Sequence, residues 1–258
     1  MPPRSLAPQL HSFAFVTILG SCLTGCTWFE DLFDDSVTLT DLAPVAANVS
    51  AEMNDSSRSQ LVLQPKDGVC PTIRDDVEAN VDGKSMDVYI KGAKQPSGSS
   101  WICAMPTFRR NVTDAEIGAA STTFVAKDDT KTITVEATGL LLDRNLTESD
   151  STVPFLAGVE KSFVWSVPTD EIDATVSNAD FVYDDRSLML KAEVTFRVEG
   201  SLVFIRLPTD APDGPGTLTV DVTTSIPIAK CEGVAACSGS ARVVQDLAMT
   251  AGPPAPGP

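Results

Sequence analysis

The sequence predicts an all-β protein of two β-sandwiches in tandem, and three observations carry that expectation. Apolar and polar residues alternate with a period of two over much of the chain, the mark of half-buried strands. Turn signals interrupt these runs at short intervals, while helical periodicity is scarce. A stretch from Asp143 to Pro154, rich in Asn, Asp, Ser and Thr, breaks the pattern and leaves two pieces of about 100 residues, each the size of a sandwich.

In chain order, a polar start bearing Arg4 leads into an apolar segment from Phe13 to Leu23 and then to Gly25 and Cys26. Such a segment is too short to span a bilayer, which takes about 20 apolar residues. A polar start, an apolar middle and small residues before a cysteine read as a secretory signal. Leu23-Thr24-Gly25-Cys26 resembles the lipobox of bacterial lipoproteins cut by signal peptidase II. The resemblance implies removal of residues 1–25, diacylglycerol on the Cys26 thiol and a fatty acid such as palmitate on its new amine. Leu19-Gly20-Ser21 before Cys22 is a weaker match. Of the six cysteines, cleavage before Cys26 leaves four to pair in an oxidising compartment, whereas cleavage before Cys22 strands an odd thiol. By the same resemblance, Thr27 stands where an Asp signals inner-membrane retention, which implies the outer membrane of a bacterial cell envelope.

Residues 26–50 read as a lipidated acidic tether, with Trp28, Phe29, Leu32 and Phe33 at helical spacing among Glu30, Asp31, Asp34 and Asp35. The first sandwich is expected over 51–145. Asp82-Gly83 marks a two-residue hairpin, Asp128-Asp129 joins two more strands, and Ile133, Val135 and Ala137 form one apolar face. Thr113-Asp114-Ala115-Glu116 has the spacing of a capping box over one short turn.

The second sandwich is expected over 151–249. Its even positions from Leu188 to Val198 are apolar and its odd ones mostly polar, as in one half-buried strand. Ser162 to Ser166 reads as an early core strand, and Val203 to Pro208 followed by Asp213 to Val220 as the last hairpin. This piece resembles bacterial immunoglobulin-like modules, which implies that fold and no particular function, since such sandwiches host unrelated roles. Residues 250–258 are expected to be a disordered Pro/Gly-rich tail. Three cysteine pairings are open, and proximity favours Cys70 with Cys103 and Cys231 with Cys237.

The net charge of −16 disfavours nucleic acid and anionic lipid headgroups as partners. His11 is the one histidine and lies in the expected signal, so the mature chain lacks the imidazole of histidine triads and most catalytic zinc sites. A metal at Cys231 and Cys237 is disfavoured for the same want of further ligands. Asp75-Asp76, Asp128-Asp129, Asp184-Asp185 and the group Asp170, Glu171 and Asp173 read as solvated turn acids rather than calcium ligands, as no Asp-x-Asp-x-Asp-Gly loop is present. Two carboxylates suffice for a glycosidase, yet nothing here marks a cleft. Trp165 reads as core and Trp101 as packed on a disulfide rather than stacked on sugars, and the Asn-x-Ser/Thr triplets at Asn48, Asn54, Asn111 and Asn145 read as chance matches. The expected function is a membrane-anchored, non-enzymatic envelope lipoprotein without cofactors that engages a protein or surface partner. The alternative is a lipoprotein capturing a glycan or small molecule on its sandwich loops.

Overall fold

The computed structural model describes residues 36–54, 56–66, 72–97, 100–166, 175–184 and 191–253. The expected signal, Cys26, the aromatic part of the tether, Cys70, the Asp170 to Asp173 acids, Asp185 and the last five residues lie outside them. Residues 36–258 form one compact unit.

The described region opens with β1 (Ser36–Val37), the short helix α1 (Leu39–Leu42), β2 (Ala46–Met53) and β3 (Arg58–Gln64). Thr38 caps α1 through its hydroxyl, and Leu39 and Leu42 are buried. Folded structure therefore begins inside the stretch expected as tether, because β2 buries Ala47, Val49 and Ala51 in strict alternation. Next come β4 (Thr72–Ile73), β5 (Glu78–Val81), β6 (Lys84–Ile90), β7 (Ala93–Ser97), β8 (Ser100–Ala104) and β9 (Thr107–Asn111). Asp82 and Gly83 both have positive φ and join β5 to β6 as the expected tight hairpin. A 3₁₀ turn at Asp114–Glu116 precedes β10 (Ser121–Lys127) and β11 (Thr132–Thr138), which pair over their whole length around the Asp128-Asp129 turn.

The second half holds β12 (Leu146–Glu148), β13 (Phe155–Leu156), β14 (Glu160–Trp165), β15 (Thr175–Tyr183), β16 (Lys191–Glu193), β17 (Thr195–Glu199) and β18 (Leu202–Arg206). It closes with β19 (Gly214–Ile226), β20 (Ile228–Glu232) and β21 (Ala236–Gly252). The protein is all-β, as expected.

One large sheet runs β16-β15-β19-β21-β2-β3-β9-β6-β5-β10-β11-β20, and a smaller one runs β12-β14-β18-β17. At β6 the large sheet turns from one layer to the other, with a bulge between Val88 and Ile90. This fold-over brings Val49, Leu61, Leu63 and Phe108 into one core cluster with Phe124, Ile133 and Val135. Below, Phe163, Trp165, Val203 and Ile205 of the small sheet share that cluster with Phe181, Leu218 and Val220 of the large one. Gln245 fastens these layers, accepting from Leu146 N at 2.6 Å and donating to Leu146 O at 2.9 Å.

Four sequence expectations are corrected by this topology. Residues 51–145 and 151–249 are not closed off from one another, since β19 and β21 pair with each other from Gly214 to Ile226, β21 continues onto β2 and β20 pairs with β11. The alternation up to Glu199 is no single strand: β16 belongs to the large sheet and β17 to the small one, with Phe196 left 39% exposed. Val203 and Leu218 do not share a hairpin, because β18 pairs with β14 and β17 while β19 pairs with β15 and β21. Finally, the ladder continues into the expected tail as far as Gly252, which pairs with Leu156.

Candidate functional site

The outward face of the large sheet carries two cross-strand rows of polar side chains. One runs Thr223, Arg242, Glu52, Arg58, Asn111 across β19, β21, β2, β3 and β9. Its neighbour runs Ser225, Ser240, Ser50, Gln60, Arg109, Asp87 and reaches β6. Strand alternation explains the arrangement: Ala51, Ser59, Phe108, Ala241 and Val222 point inward and force their neighbours outward. Between the rows lies a hollow of about 300 Å³ lined by three arginines, Arg58, Arg109 and Arg242, one carboxylate, Glu52, and the hydroxyls of Ser50, Thr223 and Ser240.

The three arginines are held differently. Arg242 makes a bidentate pair with Asp221, Nε to Oδ1 at 3.0 Å and Nη2 to Oδ2 at 2.7 Å, and a longer contact of 3.2 Å with Glu52. Its hydrogen bonds to Asp221 hold the guanidinium pKa above the usual value. Arg109 donates Nε to Gln60 Oε1 at 2.8 Å and stacks 3.6 Å from the centroid of the Tyr89 ring. Tyr89 sits at the β6 bulge and is 58% exposed. Arg58 has no carboxylate within salt-bridge distance among the described residues, and its Nε is buried without a hydrogen-bond partner.

Two larger cavities are built around structural contacts. One of about 640 Å³ lies beside the residue 143–145 link, where Arg144, 3% exposed, donates to the carbonyls of Gly139, Leu140 and Leu142 and so stiffens the turn. Another of about 530 Å³ lies beside Lys161, 4% exposed, which pairs with Glu148 at 2.8 Å and donates to the Asp150 and Val153 carbonyls.

The residues singled out in the sequence fall elsewhere. Asp75 pairs with Lys91, and Asp76 with Arg74 at 2.7 Å. Asp128 accepts from Leu39 N at 2.6 Å and from the Thr130 and Lys131 amides at 2.8 Å, so it ties α1 to the β10–β11 turn. Burial raises its pKa, but those hydrogen bonds outweigh it and hold the carboxyl below its ordinary value. Among the described residues, no group of three or more His, Cys, Asp or Glu side chains is arranged to hold a metal ion. Cys231 and Cys237 are bonded, with Cα atoms 5.8 Å apart. Cys103 is disulfide-bonded as well, and the side chain of Trp101 lies outside the described residues. Trp165 is buried core.

None of the hollow's residues stood out in the sequence. They come from five separate strands, and only register gathers them. The available signal was outward-facing arginine in a chain with 19 basic and 35 acidic residues.

No protein-family model and no curated protein matches this chain. Among solved structures it resembles the titin domains Z1Z2 crystallised in complex with telethonin, at 14% identity over 81% of this chain and 94% of that one. The TM-score is 0.22, and a likeness of that size carries no argument about site or partner.

Proposed function

We propose that the protein is a non-enzymatic interaction module, anchored by a lipid on Cys26 to the outer membrane of a bacterial cell envelope, that meets its partner through the polar face of the large sheet. The observation that carries this reading is that face itself: two continuous rows of hydrogen-bonding side chains across as many as six strands. A monomer's sheet face needs hydrophilic groups, but not three guanidinium groups gathered in a chain of net charge −16. The sequence Leu23-Thr24-Gly25-Cys26 supports the anchor, and Thr27 the outer-membrane placement.

Two experiments test the parts separately. Radioactive palmitate is expected to label the protein in a bacterial host and to leave Cys26→Ser unlabelled; an unlabelled wild type removes the anchor. A photocrosslinker at Ser240 is expected to trap an envelope component, while one at Thr132, exposed on β11, does not. Equal yields from both positions remove the sheet face as the contact.

A second reading, capture of a small ligand, is favoured by the hollow. Its volume of about 300 Å³ lies at the lower end of the range for small-molecule sites.

A further inference from the structure

We propose that this hollow binds an oxyanion, a carboxylate or phosphate ester borne by a hydroxyl-rich ligand of sugar size, and that Arg58 recognises its charge. The inference rests on the ligand-capture reading and gives it a chemistry.

Charge is the first argument. Three arginines and one glutamate line the hollow; Asp221 neutralises Arg242 at 2.7 Å and Asp87 stands beside Arg109 in register, so the cationic group left for a ligand is Arg58. Exposed charges lying more than about 8 Å away are largely screened at physiological salt. An approaching anion therefore responds to the lining.

Pairing is the second. Asp221 and Glu52 answer the charge of Arg242, and Gln60 with Tyr89 fixes the orientation of Arg109. Arg58 has neither arrangement, and a buried guanidinium N–H without an acceptor is costly. A ligand oxyanion at its open edge supplies the missing acceptor. A rotation about the last side-chain torsion then lets Nε share a two-pronged contact, the geometry that arginine offers to carboxylate and phosphate.

Placement is the third. Arg58 pairs in register with Glu52 on one side and Asn111 on the other, and Arg109 stands diagonally across on β9. The two arginines thus line the hollow from adjacent strands. Ser50, Ser240 and Thr223 lie on the far side of the hollow, where they match ligand hydroxyls, and Glu52 accepts from such hydroxyls. A bare inorganic anion would leave those groups unused.

The test is titration of the detergent-solubilised protein with glucuronate, glucose 6-phosphate and glucose, followed by calorimetry and by NMR of the arginine Nε–H signals. At least one of the two anions is expected to shift the Arg58 signal saturably and to bind at least tenfold more tightly than glucose. Whichever binds names the oxyanion. Arg58→Gln is expected to weaken that binding at least tenfold while keeping the thermal midpoint, because Arg58 makes no ion pair to lose. Arg58→Lys is expected to recover part of it, and Arg109→Gln provides a second lesion on the same anion. Glucose binding as tightly as the anions, with no effect of Arg58→Gln, overturns the oxyanion and leaves ligand capture standing. No saturable shift with any of the three overturns both.

Discussion

Glu116 shows how a single carboxylate is built into this surface. It accepts from Lys84 Nζ at 2.5 Å, from Arg110 Nη1 and Nη2 at 2.9 and 3.2 Å, and from the Thr113 amide and hydroxyl at 2.8 and 2.7 Å. Partial burial pushes its pKa up, but the hydrogen bonds from Lys84, Thr113 and Arg110 outweigh that and hold it far below the ordinary carboxylate range. The native pKa is thus depressed, so the stabilisation is present above the unfolded value near 4.5 and is lost as the pH falls below it. Glu116→Gln is expected to cost about 1–2 kcal/mol at pH 7, the scale of a lost cap with partly screened ion pairs. Denaturant unfolding across pH checks it: the gap between wild type and variant should narrow below pH 4.5, and a constant gap would refute the assignment. The capping half of this cluster was legible in the spacing of Thr113 and Glu116. Lys84 was not, since 32 residues separate it from Glu116 and only the fold brings them together.

Among elements, the informative event is the parting of β20 from β21. From Gly214 to Ile226 the strand β19 follows β21; past Pro227 its continuation β20 leaves to pair with β11, while β21 stays beside β2. The Thr138 amide donates to the Pro227 carbonyl at the branch, and Cys231 to Cys237 bridges the gap beyond it. The disulfide therefore closes the folded-over sheet at a seam where, among the described residues, β20 and β21 share no ladder. Replacing both cysteines by serine is expected to lower stability by up to about 2.4 kcal/mol, the chain-entropy value for so short a loop. The loss should be local first, with faster amide exchange in β20 and β11 than in β14 and β18; a uniform change would show that the bridge acts elsewhere. Sequence spacing was enough to pair these cysteines and to place the Asp82-Gly83 hairpin, because both are local. It did not reveal that the chain changes sheets near Val194 and changes partners near Pro227, since alternation reports that a strand has two faces and not which strand lies beside it. For the same reason the arginine hollow was invisible before register was known.

At the scale of the whole molecule, the long strands decide whether the two halves are separate bodies. Val220, Val222 and Ile226 of β19 and Ala241 and Val243 of β21 are buried in a cluster that also takes in Phe124 above and Phe163 below. Cutting the chain near residue 150 would strip β2 of its parallel partner and β11 of β20, and would leave the upper parts of β19 and β21 with apolar faces uncovered. Each half would then lose core burial worth about 25 cal/mol per Å² of apolar surface, against a total stability of only about 5–15 kcal/mol for a domain. The halves are accordingly expected to unfold together. In a Trp28→Phe, Trp101→Phe background, Trp165 reports on the lower half, while amide exchange at Phe124 and Val135 reports on the upper. Both should give one opening free energy, and residues 151–249 expressed alone should show the red-shifted emission of a solvated Trp165. A fragment that keeps Trp165 buried, or two separate transitions in the intact protein, would instead restore the picture of independent modules that the break at 143–154 first presented.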